Sequence, residues 1–218
     1  MKISRMLADA YALSLSRQPH LNASWVGAGV RVGAKLPTSS LIMSVQQIGR
    51  IDILLRCLEE DCLADQSMSS YSPFSFDLQS LLSNQWISAS YEVCRLLISR
   101  KLDDSPAFKS IARDLKLIRI PIDKHEIAEE QRIGGSLRFK RYPAQADDTE
   151  EHTYSPSDPT RSHIMPSGVS ARGSIQWLVT DTKSMQSYWL ERVSLADRLL
   201  EHWAIERTVP QSDDKVLP

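Results

Sequence analysis

Apolar side chains recur at spacings of three, four and seven residues over much of the first 125 positions. This is the period of a helix that buries one face, so the pattern predicts a succession of amphipathic helices. The predicted helices cover residues 4–17, 41–62, 77–101 and 106–122. Ser105 followed by Pro106 is a helix start signal, and the short connection before it predicts that the last two helices pack antiparallel.

The segment between the first two predicted helices, residues 18–38, contains the glycine-rich run GAGVRVG. Glycine is unfavourable inside a helix, so we expect a loop here, with a short strand through Trp25–Val32. The run lacks the GK[ST] ending of a phosphate-binding loop, and its GxG is too short for a dinucleotide fingerprint.

The character of the chain changes after residue 135. Residues 136–162 are polar and contain several prolines, which predicts a loop or linker. Residues 163–208 offer one strand, at 174–180, followed by a helix at about 183–206, and the polar residues 209–218 should fray.

One strand and one helix can bury only a small core by themselves, so the C-terminal segment should pack on the helical bundle of residues 1–135. The predicted fold class is therefore mainly α. It consists of an antiparallel helical bundle with a small irregular or β element, and a C-terminal helix that packs back on the bundle.

Charge and cysteine content narrow the function classes. With 26 Lys and Arg against 27 Asp and Glu, the chain has no global basic field for nucleic acid, although a local one remains open. The three cysteines argue against a disulfide framework. The five histidines are scattered without metal-ligand spacing, so we expect neither a metal nor a cofactor.

No apolar run is long enough to span a bilayer. The N-terminal stretch MKISRMLADAYALSLSRQ begins with a basic residue, but polar side chains interrupt its apolar positions. It therefore predicts an amphipathic helix rather than a signal peptide. The expectation is a cytoplasmic protein with no membrane association.

The stretch DLKLIRIPIDKHEIAEE combines a helical pattern with a proline, Pro121. The proline predicts either a kink or a break, with one helix ending near Arg119 and another beginning at Pro121. On a straight helix Arg119 and His125 would lie about 120° apart. The two side chains can therefore share a site only if the helix breaks at the proline.

Arg119 and His125, separated by five residues late in a pair of long helices, resemble the R-x4-6-H motif of HEPN domains. These are small helical bundles, many of them metal-independent ribonucleases and others nucleotide-binding or adaptor modules. The resemblance covers residues 39–135 and implies a cleft commonly completed by a dimer partner. It also implies that His125 acts as general acid and base on RNA, while Arg119 stabilises the charge that develops on the phosphate.

Simpler roles are open for both residues. His125 continues the apolar stripe of its helix and so suits the edge of the core, and Arg119 is spaced to pair with Asp123 within the helix. A further candidate is the run RFKRY, in which Arg138, Lys140 and Arg141 alternate with aromatic rings in a way that suits single-stranded nucleic acid.

The sequence leaves three functional hypotheses. The first is a helical interaction or adaptor protein, supported by well-formed amphipathic helices. The second is a HEPN-like ribonuclease or RNA- or nucleotide-binding protein that uses Arg119 and His125. The third is a small-ligand-binding protein in which the hydroxyl-rich loop 162–174, with His163, closes over the bundle. A homodimer, a protein partner or RNA would be the corresponding partners.

Overall fold

The computed structural model describes residues 2–64, 73–140 and 151–204, and this part of the chain is mainly helical. Its helices are α1 (Ile3–Arg17), α2 (Pro19–Ala34), α3 (Leu41–Ala64), α4 (Pro73–Ser99), α5 (Pro106–Lys124) and α6 (Arg192–Ala204). Its strands are β1 (Leu137–Lys140), β2 (Glu151–Tyr154), β3 (Ser167–Val169), β4 (Ile175–Asp181) and β5 (Gln186–Glu191). The predicted mainly α fold with a small β element is confirmed.

Helix α2 occupies the glycine-rich segment, so the predicted loop and strand in residues 18–38 are wrong. Glycines on both helices, Gly33 on α2 and Gly49 on α3, permit a close approach between them. A Cβ atom at Gly33 would lie 2.9 Å from the Cβ of Ile42, and one at Gly49 would lie 2.5 Å from the Cγ of Trp25. Close packing between the helices therefore outweighs the poor helix propensity of glycine.

Helix α5 runs unbroken to Lys124, although it contains Pro121. Ser105 caps its N terminus as predicted, since the side-chain oxygen accepts a hydrogen bond from the backbone N–H of Phe108 at 3.4 Å. Pro121 lies in the last turn, where its missing N–H removes only one helical hydrogen bond. The alternative of two helices that meet at the proline is therefore wrong.

The C-terminal half builds an antiparallel sheet in the order β3-β4-β5. Alternate residues of β4 are buried, with Ile175, Trp177 and Val179 in the core. This strand contacts α4, α5 and α6. The C-terminal helix and its sheet thus pack back on the bundle, as predicted.

Two predicted elements of this half differ in the structure. Residues 136–162, predicted to be a polar loop, contain β1 and β2, which pair antiparallel. The helix predicted at 183–206 begins only at Arg192, because residues 186–191 form strand β5 instead.

A turn before β5 reverses the chain. In this turn the Asp181 carboxylate accepts hydrogen bonds from Lys183 N and Ser184 Oγ, both at 2.9 Å. The predicted tail 209–218 and residue 141 lie outside the described residues.

A buried ion-pair network around Arg192 joins α6 to α3. The guanidinium donates to the Glu59 carboxylate from Nε at 3.0 Å and from Nη2 at 2.7 and 2.8 Å, and it also donates to Asp52. All three side chains are buried. Asp52 accepts two further hydrogen bonds, from Trp25 Nε1 at 2.9 Å and from Arg56 Nε at 3.1 Å. Asp52 thus has a second cation on α3, whereas the ion pair of Glu59 forms only when α6 is in place.

We expect Arg192→Ala to lower the free energy of unfolding by about 3–5 kcal/mol, because it leaves two buried carboxylates without their main cation. The double variant Arg192→Met/Glu59→Leu should recover most of this loss, since apolar side chains can replace a buried pair. Urea denaturation measures both. As a control, Arg95→Ala removes an exposed ion pair on α4 and should leave stability nearly unchanged. A loss in Arg192→Ala no larger than in the control would contradict the structural role of the network.

Candidate functional site

Arg119 lies on the side of α5 that faces α4, where acidic and aromatic side chains hold it. Its Nε is 2.7 Å from Asp123 Oδ2, and its Nη2 is 3.5 Å from Glu92 Oε1. The guanidinium carbon also stands 5.4 Å from the centre of the Tyr91 ring. The ion pair with Asp123, which the sequence offered as the simpler role of Arg119, is present.

His125 is exposed and ends α5 in a left-handed conformation, with φ 57°. Its N–H donates to the carbonyl of Pro121 at 3.1 Å, and its own carbonyl accepts from His163 N at 2.8 Å. The side chain lines a cleft of about 280 Å³. Arg119 is not among the described residues that line this cleft, so the structure does not bring the predicted pair together there.

We call this cavity the histidine cleft. It lies where α4, the end of α5 and the segment before β4 meet, and its walls combine hydroxyl, amide, imidazole and apolar groups. The described residues that line it are Ser80, Asn84, Pro121, Ile122, His125, His163, Ile164, Met165, Ser167 and Trp177. The loop 162–174, named from sequence as a candidate site loop, supplies four of them.

Ion pairs of Arg161, the residue that directly precedes this loop, hold it close to the end of α5. Arg161 donates from Nη2 to Glu126 Oε1 at 3.0 Å and from Nε to Glu130 Oε2 at 2.8 Å. The next anchor is the backbone bond from His163 to His125. The cleft is therefore built by fixed backbone rather than by a loose loop.

The His163 ring is buried between aromatic side chains. Its centre lies 4.9 Å from that of Phe139 and 6.1 Å from that of Tyr154. Burial, and to a smaller extent the neighbouring His152, lowers the pKa of His163 from 6.5 to about 4. At neutral pH the ring is uncharged and offers one hydrogen-bond donor and one acceptor.

A second cavity, of about 330 Å³, lies between α4 and α5, and we call it the basic groove. Its described lining residues are Tyr91, Arg95, Ile98, Ser99, Lys109, Ala112, Arg113, Lys116 and Glu129. Lys109, Arg113 and Lys116 follow each other at i, i+4 and i+7, which places them on one face of α5. Sequence reasoning missed this stripe because it followed only the apolar period of the helix.

Each cation of the basic groove has an acidic neighbour. Arg113 pairs with Asp181, and the Lys116 Nζ is 3.0 Å from Glu129 Oε1. The hydrogen bond from Lys116 is the main cause that lowers the pKa of Glu129 below its ordinary value. Lys109 is held more loosely, at 3.8 Å from Asp104. The groove is thus preorganised, with Lys109 the cation least engaged by a partner.

Arg138 and Phe139 of the RFKRY run line neither cavity, although Phe139 packs against His163 of the histidine cleft. Arg138 on β1 is exposed, and its Nη1 stands 3.6 Å from Glu151 Oε2. Lys140 ends the same strand, and Arg141 lies outside the described residues. The assignment of these three residues to nucleic-acid binding stays a prediction.

Helix α1 exposes a stripe of apolar side chains: Ile3, Met6, Leu7 and Leu13. Contiguous exposed apolar surface is typical of protein interaction sites. The first functional hypothesis, an interaction protein, therefore has a candidate surface.

Within the described residues, no group of three or more histidine, cysteine or acidic side chains is placed to hold a metal ion. No helix in this part of the chain is long and apolar enough to cross a membrane. Comparisons with models of protein families, with curated proteins and with solved structures gave no match. The resemblance to HEPN domains accordingly stays a prediction.

The environment of His163 predicts a pH dependence of stability. The unfolded chain takes up a proton near pH 6.5, whereas the folded ring takes it up only near 4, so stability should fall as the pH drops through this window. We expect His163 to contribute on the order of 2–3 kcal/mol to this fall. Urea denaturation at pH 7.5, 5.5 and 4.5 should show a flatter profile for His163→Phe. The exposed His20→Gln is the control, and an unchanged profile in His163→Phe would show that the ring is not held neutral.

Proposed function

We propose that this chain binds phosphate-bearing ligands, a nucleotide or single-stranded RNA, in the basic groove. The observation that carries the proposal is the convergence of Arg95, Lys109, Arg113 and Lys116 on one cavity. Arginine and lysine are the side chains that bind phosphate, arginine as a planar fork and lysine as a point charge.

The shape of the groove supports an extended ligand. The first and last of the three cations of α5 are seven residues apart, which is about 10 Å along the helix axis. Tyr91 and Ile98 add an aromatic ring and an apolar wall, and bases stack on aromatic rings irrespective of sequence. The groove thus combines a row of cations for the phosphate backbone of a nucleic acid with an aromatic surface on which a base can stack.

Arg119 belongs to the neighbourhood of this groove rather than to the histidine cleft. It contacts Tyr91, a lining residue, and it shares Glu92 with Arg95, since both guanidinium groups approach that carboxylate. In the proposed function Arg119 is a positioning residue that orients Tyr91 and Glu92.

The double variant Arg95→Gln/Lys109→Gln should weaken binding of a labelled uridine 12-mer at least about tenfold, because it removes two phosphate contacts. For a single strand, the slope of log K against log salt should fall in magnitude by about 1.4. Fluorescence anisotropy over a salt series measures both quantities, and a titration with ADP tests the nucleotide.

Lys2→Gln/Arg5→Gln is the matched control, because it removes the same charge from two exposed positions at the start of α1. Arg138→Gln tests the RFKRY run in the same assay. Equal losses in the groove variant and in the α1 control, or no binding by the wild type, would refute the proposed function.

A metal-independent ribonuclease is the second candidate, and the exposed ring of His125 at the histidine cleft is the observation that favours it. An exposed imidazole can accept and return a proton in phosphodiester cleavage. Because Arg119 does not line this cleft in the described structure, charge stabilisation at the phosphate would come from another group.

RNA cleavage with a chelator present tests this candidate. We expect His125→Ala to abolish cleavage, while Arg119→Gln, whose side chain is engaged by acids on α4 and α5, should retain most of it. Cleavage that is equal in wild type and His125→Ala, or absent from both, would eliminate the nuclease. Binding by the basic groove would be unaffected by that result.

A further inference from the structure

The histidine cleft differs from the basic groove in its chemistry. Of the ten described residues that line it, none is Asp, Glu, Lys or Arg. Ser80, Asn84 and Ser167 supply uncharged hydrogen-bonding groups, and the two histidines complete the polar part. The cleft also shares no described lining residue with the basic groove.

The remaining walls are apolar and suit a flat ring. Trp177 is buried at 3% exposure, and Ile122, Ile164 and Met165 line the cleft with it. Indole rings stack on planar groups, and the methionine sulfur makes favourable contacts with aromatic edges. A volume of about 280 Å³ is close to the lower bound of small-molecule sites.

Asn84 gives the cleft unused hydrogen-bonding capacity. Its side-chain oxygen Oδ1 is buried and has no hydrogen-bond partner among the described residues. A buried carbonyl oxygen without a donor costs free energy, and such atoms in folded proteins call for a partner. Because Asn84 lines the cleft, a rotation of its amide can direct this oxygen to an N–H group of a bound molecule.

We propose that the histidine cleft binds a neutral, planar small molecule that carries an amide-type edge, with an N–H donor beside a carbonyl acceptor. Asn84 pairs with that edge through its own donor and acceptor, as an amide side chain does with a complementary edge. The imidazoles and hydroxyls bind the remaining polar atoms, and Trp177 with Met165 holds the ring.

The cleft should distinguish this neutral ligand from analogues that carry a charge. A carboxylate or amidinium in the cleft would lose hydration without gaining a counter-ion from the described lining residues. His163 does not supply one, because burial keeps its pKa near 4 and its ring neutral. The site therefore selects against ions, in contrast to the anion site proposed for the basic groove. This selectivity and the ribonuclease candidate at His125 exclude each other, because a phosphodiester is an anion.

Benzamide, benzoate and benzamidine form a matched test, since they share one ring and differ in charge. Titration followed by ligand-observed NMR at pH 7.5 should give benzamide a Kd at least about tenfold lower than that of either ion. Uracil, which carries the same edge within its ring, should compete with benzamide. Tighter binding of either ion, or no binding of benzamide at millimolar concentration, would overturn the proposal.

Asn84→Leu separates binding from folding. Leucine has a similar shape and removes the unsatisfied oxygen, so the Tm should stay the same or rise while benzamide affinity falls at least about tenfold. Gln85→Leu, at the next and exposed position of α4, is the matched control and should leave the affinity unchanged. Unchanged affinity in Asn84→Leu would overturn the role of its amide.

A second variant keeps the test decisive if Asn84→Leu folds poorly. Ile164 is 70% exposed at the cleft, so Ile164→Lys adds a cation with little effect on the core. In that variant benzoate should bind at least as well as benzamide. A preference that stays with benzamide would show that the absence of charge does not set the selectivity.

Discussion

The ion pair between Arg192 and Glu59 is the constraint on which the rest of the fold depends. It places two full charges in the core, and α3 can keep Glu59 there only if α6 supplies the guanidinium. The same cation reaches Asp52, and its guanidinium stands 5.7 Å from the centre of the Trp86 ring on α4. One residue thus fixes α6 against α3 and α4. Since α6 follows β5 directly, the position of the sheet follows from it.

Helix α5 separates two cavities of opposite character. Its charged stripe lines the basic groove beside α4, while its last turn and His125 line the uncharged histidine cleft. Helix α5 ends at Lys124, where His125 takes the left-handed conformation. The segment that follows Arg161 forms the remaining wall of the histidine cleft. The two proposed sites, one for an anion and one for a neutral molecule, thus share this helix.

Most helices could be predicted because a buried face leaves a period in the sequence, and Ser105 with Pro106 marked the start of α5 correctly. The prediction was wrong where tertiary packing decided the structure. At Gly33 the need for close helix contact outweighs helix propensity. The sequence of β5, before Arg192, fits a helix as well as a strand, because its tryptophan and tyrosine lie at spacings that suit the period of either element. The turn that separates β4 from β5 depends on hydrogen bonds to Asp181. His125 and His163, far apart in sequence, meet through a backbone bond that no local pattern encodes.

The sequence separation of the Arg192 contacts also sets the order of events during synthesis. Glu59 emerges from the ribosome 133 residues before its partner, an interval on the order of ten seconds. During that interval α3 carries carboxylates on the face that the finished fold buries, and their charge opposes premature collapse of the helices onto it. Before α6 is made, burial of Glu59 would cost the desolvation of an unpaired carboxylate, so we expect the bundle to reach its final packing only after α6 is synthesised.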